Sequence, residues 1–150
     1  MSSYPPKLTE LIEDFQSITD RTERAEALIE IADRFPGVRV PGHIAQKPYP
    51  EENHVTFCES DAYVWAIDNP DGTVKFYFDV LNPQGLSAMA MSVVLDEAYS
   101  NQPLDYAAAL DTELVFKLFG REISMGKGQG LMGIVAMVRD AAQKRLRKPE

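Results

Sequence analysis

The sequence predicts an α+β fold, in which strands and helices occupy separate stretches of chain. Apolar residues recur at helical spacing from residue 8 to residue 35 and again from residue 87 onward. Between residues 54 and 80 the period drops to two, and turn residues rather than helices separate the alternating runs. Strands joined this way pair as an antiparallel meander, with one sheet face packed on helices. At 150 residues the chain is expected to form a single domain, residues 1–150, able to bury a core without disulfides or metal.

The first helix is expected over residues 8–18, where Leu8, Leu11, Ile12, Phe15 and Ile18 share a face. The second runs over residues 21–35, with Ala25, Leu28, Ile29, Ala32 and Phe35 as its stripe. Asp20 or Thr22 can cap it, and Pro36-Gly37 ends it. Residues 36–53 hold Pro36, Pro41, Pro48 and Pro50 and read as a long surface connector. His54-Val55-Thr56-Phe57 alternates as a short strand, and Tyr63–Ile67 as a second. After the turn at Asn69-Pro70-Asp71-Gly72 comes a third, Thr73–Val80, with Val74, Phe76, Phe78 and Val80 on one face. Tyr63, Trp65, Phe76 and Phe78 are most simply core and sheet-face residues.

The remainder is helical. Residues 87–99 carry Met89, Val93, Val94 and Ala98 at helical spacing, and Pro103 opens a short helix through Leu110. Asp111 or Thr112 can cap a further helix that ends at Gly120. A long final helix is expected from about Lys127 to Arg147, with Leu131, Ile134, Val135, Val138 and Ala142 inward. Its end is basic (Arg139, Lys144, Arg145, Arg147, Lys148), as the helix dipole favours.

Composition narrows the function. Hydrophobic residues make up 45% and charged residues 25%, ordinary for a soluble globular chain. A net charge of −8 argues against nucleic acid or an anionic membrane as the main partner. No basic region followed by an apolar run opens the sequence, so no signal peptide is expected, and one free cysteine suits a reducing cytoplasm.

That cysteine is Cys58. A lone cysteine is commonly a small core residue, but this one ends an alternating run and opens a polar turn, Glu59-Ser60-Asp61, near a hairpin tip where it can reach another protein. The flanking carboxylates of Glu59 and Asp61 disfavour a standing thiolate, which suits a thiol kept quiet until a partner supplies the activating charge. Other chemistry is weaker. His54 and Cys58 form half a zinc site at best, since the chain has two histidines and one cysteine. A Cys–His hydrolase using His43 or His54 is open on spacing alone. The carboxylate pairs Glu51-Glu52, Glu59/Asp61 and Asp68/Asp71 read as solvated surface. The run GKGQGLMG, residues 126–133, is no phosphate loop, because it lacks the required Lys-Ser/Thr ending and follows no strand. As a glycine-rich helix entry with Lys127, it could stabilise an anionic sulfur if it faced Cys58.

Four segments resemble the SufE-type sulfur acceptors, the partners of cysteine desulfurases in iron–sulfur cluster biogenesis. They are ALIEIADRFPG (27–37), HVTFCES with VWAI after it, VKFYFDV followed by GLSAMAMSVV, and ISMGKGQGLMGIVAMVRDAAQK. The match runs in order over about residues 8–147. Three departures stand out: a longer turn between Cys58 and Trp65, Lys127 where the family usually has arginine, and Phe57 where a glycine often precedes the cysteine. The resemblance implies a SufE/IscU-like fold with a three-stranded antiparallel sheet, two N-terminal helices and a long C-terminal helix. It implies Cys58 as the persulfide acceptor, with Glu59, Ser60, Asp61, Lys127, Gln129 and Gly130 in support. It implies no cofactor and no metal, and an accessory rather than an enzyme. The implied partners are a SufS-like desulfurase and a SufBCD-like scaffold, without nucleic acid or membrane, the protein being a monomer or weak homodimer in the cytoplasm. The alternatives are an IscU- or SufU-like scaffold, which would need about three cysteines, and an interaction domain with a non-catalytic thiol.

Overall fold

In the computed structural model, which describes residues 4–56 and 58–147, helix α1 spans Pro6–Gln16. The expectations for Phe57 and Lys148 fall outside the described residues. Pro6 suits a helix start, where its missing N–H is not needed, and Leu8, Ile12 and Phe15 form the buried stripe. Helix α2 spans Arg21–Ala32, and the Asp20 carboxylate accepts from the Glu23 N–H at 3.3 Å, closing its first turn. The stripe read above holds in part: Ala32 is buried and Leu28 packs partly buried on the core, but Ala25 and Ile29 face solvent and Ile31 is buried instead. The last apolar residue, Phe35, lies in a 3-10 turn over Phe35–Gly37, so the helical spacing does not extend to it.

Strands β1 (Ala62–Asp68) and β2 (Val74–Val80) pair antiparallel, with Ala62 opposite Val80 and Asp68 opposite Val74. The Asp71 carboxylate takes hydrogen bonds from the N–H and hydroxyl of Thr73, and Gly72 adopts φ 89°, a conformation that favours glycine. The sheet has two strands among the described residues, not three. The segment read as a first strand makes one antiparallel rung, His54 opposite Tyr63, with Val55 N–H donating to the Ala62 carbonyl at 2.9 Å. It goes no further because Val55 is drawn into the core against Gly133.

Val74, Phe76, Phe78 and Val80 turn one sheet face onto helix α3 (Leu86–Tyr99), while helix α6 (Met125–Arg147) packs along β1. Helices α4 (Leu104–Ala108) and α5 (Glu113–Phe119) close the core. The Asp111 carboxylate accepts from the Glu113 N–H at 3.1 Å, and Gly120 ends α5 at φ 86°. Near the far end of α6, Arg145 donates to Asp68 at 2.6 Å and to the Ala66 carbonyl at 3.2 Å, tying the helix to β1.

The proline-rich connector is structural. It lies over the second sheet face, where Tyr49 packs edge-on against Tyr63 and Trp65 with ring centroids 5.0 and 4.8 Å away. The Tyr49 hydroxyl donates to buried Asp79 at 2.6 Å, and Arg39 pairs with the same carboxylate at 3.3 Å. Burial and the Asp79 contact push the Tyr49 phenol up to about 12. Val40 N–H donates to the Phe78 carbonyl at 2.8 Å, so the outer edge of β2 is covered by the connector. No helix among the described residues is long and apolar enough to cross a membrane.

Candidate functional site

Cys58 lies in the loop between the His54 rung and β1, half-buried. The loop folds back on itself through Asp61 N–H to the Cys58 carbonyl at 3.1 Å. Asp61 takes φ 57°, the left-handed region that aspartate tolerates better than most side chains. Two further bonds fasten the loop to the chain beyond β2: Leu81 N–H to the Asp61 carbonyl at 3.1 Å, and Asn82 N–H to the Ser60 carbonyl at 3.2 Å.

Glycines let the loop come this close. Gly126, Gly130 and Gly133 recur on one face of α6 at spacings of four and three residues. A Cβ on Gly130 would lie 3.2 Å from both the Sγ and the Cα of Cys58. On Gly133 it would meet a Val55 methyl at 2.7 Å, and on Gly126 a Glu59 carboxylate oxygen at 2.6 Å. At the start of α3, a Cβ on Gly85 would meet Ser60 and Val80 at 2.8 Å. The loop thus lies between the starts of two helices. Cys58, Glu59 and Ser60 line a cavity of about 30 Å³ closed by Ser87 and Ala88 of α3 and by Gly126, Lys127, Gly130 and Leu131 of α6. That is room for one or two water-sized groups beside the thiol.

The two carboxylates flanking Cys58 have separate engagements. Glu59 lies over the first turn of α6, where the helix end favours negative charge. Asp61 pairs with His54 Nε2 at 2.6 Å, while His54 Nδ1 meets Glu51 at 2.9 Å. These contacts raise His54 above its ordinary value, the Glu51 hydrogen bond first and that of Asp61 after it, against partial burial. Both ring nitrogens being occupied by carboxylates, His54 is not arranged as a base for Cys58. His43 is exposed in the connector. Among the described residues no group of three or more His, Cys, Asp or Glu side chains is placed to hold a metal ion.

Cys58, Glu59, Ser60, Lys127 and Gly130 therefore converge on one cavity. Asp61 is turned away to His54, and Gln129 is exposed and off the cavity lining. Lys127 and Ser87 also line a wider groove of about 550 Å³ that includes Arg21, Arg121 and Ile123. Sequence reasoning missed Gly126, Gly133, Gly85 and Ser87 at the site, and the pairing of His54 with Asp61. The glycine spacing in α6 was the one available signal for the first two.

A family model described as SufE, Fe-S metabolism associated domain, matches residues 9–142. No curated protein matches the chain in sequence. Among solved structures, the solution structure of a hypothetical protein from Thermus thermophilus matches with a TM-score of 0.75. That likeness covers 97% of this chain and 99% of the other at 20% identity, which bears on the fold alone. The family match spans nearly the whole chain and includes both the Cys58 loop and the glycine-lined start of α6, so the chain belongs to the SufE family and is associated through it with Fe–S metabolism.

Proposed function

We propose that the protein is a single-domain sulfur acceptor: Cys58 takes sulfur from the persulfide of a SufS-like cysteine desulfurase and passes it to a SufBCD-like cluster scaffold in the cytoplasm. The observation that carries this reading is the position of the thiol. Its Sγ rests against the bare backbone of Gly130, where a Cβ would be 3.2 Å away, and beside a cavity with space for one more atom the size of sulfur. In the transfer, the Cys58 thiolate attacks the terminal sulfur of the donor persulfide. The donor S–S bond breaks as the new S–S bond forms, and the donor cysteine leaves as a thiolate. The proton stays on the transferred sulfur, so the exchange needs no oxidant or reductant. Removing the persulfide from the desulfurase stimulates its turnover.

The surroundings fit each stage. The start of α6 and Lys127 line the cavity beside the sulfur together with the Glu59 carboxylate, so a cation and an anion both stand next to the group that is transferred. Gly130 and Leu131 cover one side of the half-buried thiol between transfers. The wider groove shares Lys127 and Ser87 with the thiol cavity and offers a surface for the donor protein. Glu59 and Ser60 support the loop against α6 and Gly85. The test is desulfurase turnover with and without the protein. Cys58→Ser is expected to abolish stimulation with the circular dichroism spectrum unchanged, and undiminished stimulation by Cys58→Ser would contradict the proposal.

A further inference from the structure

We propose that His54 is a positioning residue for sulfur transfer, clasping the Cys58 loop closed by bridging Asp61 to Glu51. The inference rests on Cys58 being the sulfur acceptor. His54 and Asp61 stand at the two ends of the loop that carries the thiol, and their side chains meet at 2.6 Å. The imidazole is also fixed from its other side, Nδ1 to Glu51 at 2.9 Å, and its ring packs on Tyr63 with centroids 4.7 Å apart. Tyr63 in turn lies against Tyr49 and Trp65, so the clasp is anchored to the covered face of the sheet. The charged or titratable groups facing His54 are Glu51 from the 3-10 turn over Glu51–Asn53, Asp61 from the loop, and Tyr63 from β1.

Protonation decides how many of these contacts His54 can donate. The imidazolium carries two N–H donors and can serve both carboxylates. The neutral ring carries one donor, so one carboxylate loses its bond. The contacts raise the proton affinity of His54. The clasp is therefore complete below the ordinary histidine value and weakens as pH rises through the raised one. Closed, it holds Cys58 on Gly130. Open, it frees the loop to carry the thiol outward to a donor.

The test is the alkylation rate of Cys58 by iodoacetamide in the isolated full-length protein, measured from about pH 5.5 to about pH 8.5 for the wild type, His54→Gln and Asp61→Asn. Expressing each variant as a ratio to wild type removes the ordinary rise of thiolate with pH. Both variants are expected to react about five-fold faster at the acidic end, with a smaller ratio at the alkaline end, where the neutral ring keeps one of its two bonds. A purely electrostatic effect gives a different pattern, because losing the His54 cation slows alkylation while losing the Asp61 anion speeds it. That opposite pair of responses, or ratios that do not change with pH, would overturn the clasp. If His54→Gln does not fold, His54→Asn takes its place, because loss of the cation is what separates the clasp from a charge effect. Sulfur acceptance from a desulfurase is measured separately. Its absence in wild type would count against Cys58 as acceptor while leaving the alkylation result intact.

Discussion

Cys58 lies against bare helix backbone: a Cβ on Gly130 would come within 3.2 Å of its Sγ and of its Cα. One of those neighbours is main chain, so Gly130→Ala forces the loop outward by a few tenths of an ångström. Alanine is a better helix former than glycine by about 1 kcal/mol, which offsets part of the crowding. Gly130→Ala is expected to change stability in urea by less than about 1 kcal/mol and to speed Cys58 alkylation several-fold. Gly126→Ala is its control, because the atom it meets is the far end of the flexible Glu59 side chain. It should leave alkylation unchanged, and equal alkylation in both variants would contradict the role given to Gly130.

Gly85 is tighter and buried. A Cβ there would lie 2.8 Å from Ser60 and from a Val80 methyl, with the sheet on one side and the Cys58 loop on the other. Gly85→Ala is expected to cost about 1–3 kcal/mol by overpacking. Thermal unfolding should show this as a lower Tm, and an unchanged Tm would mean that the loop and β2 yield without strain.

The His54 contacts give stability a pH dependence. Because the value of His54 is raised in the folded chain, its contribution is present below the ordinary histidine value and is lost as pH rises through the raised one. His54 is 25% exposed and its carboxylate partners Glu51 and Asp61 are 86% and 48% exposed, so solvent screening limits the gain to about 0.5–1 kcal/mol. Urea unfolding should show wild type more stable than His54→Gln by that amount near pH 5.5 and nearly level with it two to three pH units higher. A difference that stays constant with pH would contradict this assignment.

Lys127 and Gln129 are two residues apart but placed differently. Lys127 lines the thiol cavity, and Gln129 does not. Lys127→Ala is expected to slow sulfur transfer several-fold without abolishing it, and Gln129→Ala to leave the rate as in wild type. Both should unfold within about 0.5 kcal/mol of wild type. Slowing by Gln129→Ala alone would place the functional face of α6 elsewhere.

Much of the helical framework was legible because burial leaves a periodic trace. Leu8, Ile12 and Phe15 in α1, and Leu131 through Ala142 in α6, fall at the expected spacing and are buried. The stripe of α2 misled because Ala25 and Ile29 have helical spacing without a surface to cover them. The third strand failed for a tertiary reason. His54–Phe57 alternates as a strand would, yet Val55 packs against Gly133, some eighty residues later in the chain. Cys58 stands out in the sequence as the candidate because it is the single thiol and sits in a polar turn. The surroundings of Glu59 and Asp61 were not. As sequence they read as solvated acid, and only the fold turns one onto a helix start and the other onto a histidine. Of the close-approach glycines, Gly130 was named with the glycine-rich entry to α6, whereas Gly85 was silent, since a glycine shows what it permits only when the neighbour is known.

The central claim is that Cys58 carries sulfur. Its most direct test is intact mass spectrometry of the protein after incubation with a SufS-like desulfurase and cysteine. Wild type should gain the mass of one or more sulfur atoms, released by a reducing thiol, while Cys58→Ser gains none. Sulfur retained by Cys58→Ser, or absent from wild type while the desulfurase itself carries persulfide, would contradict the account.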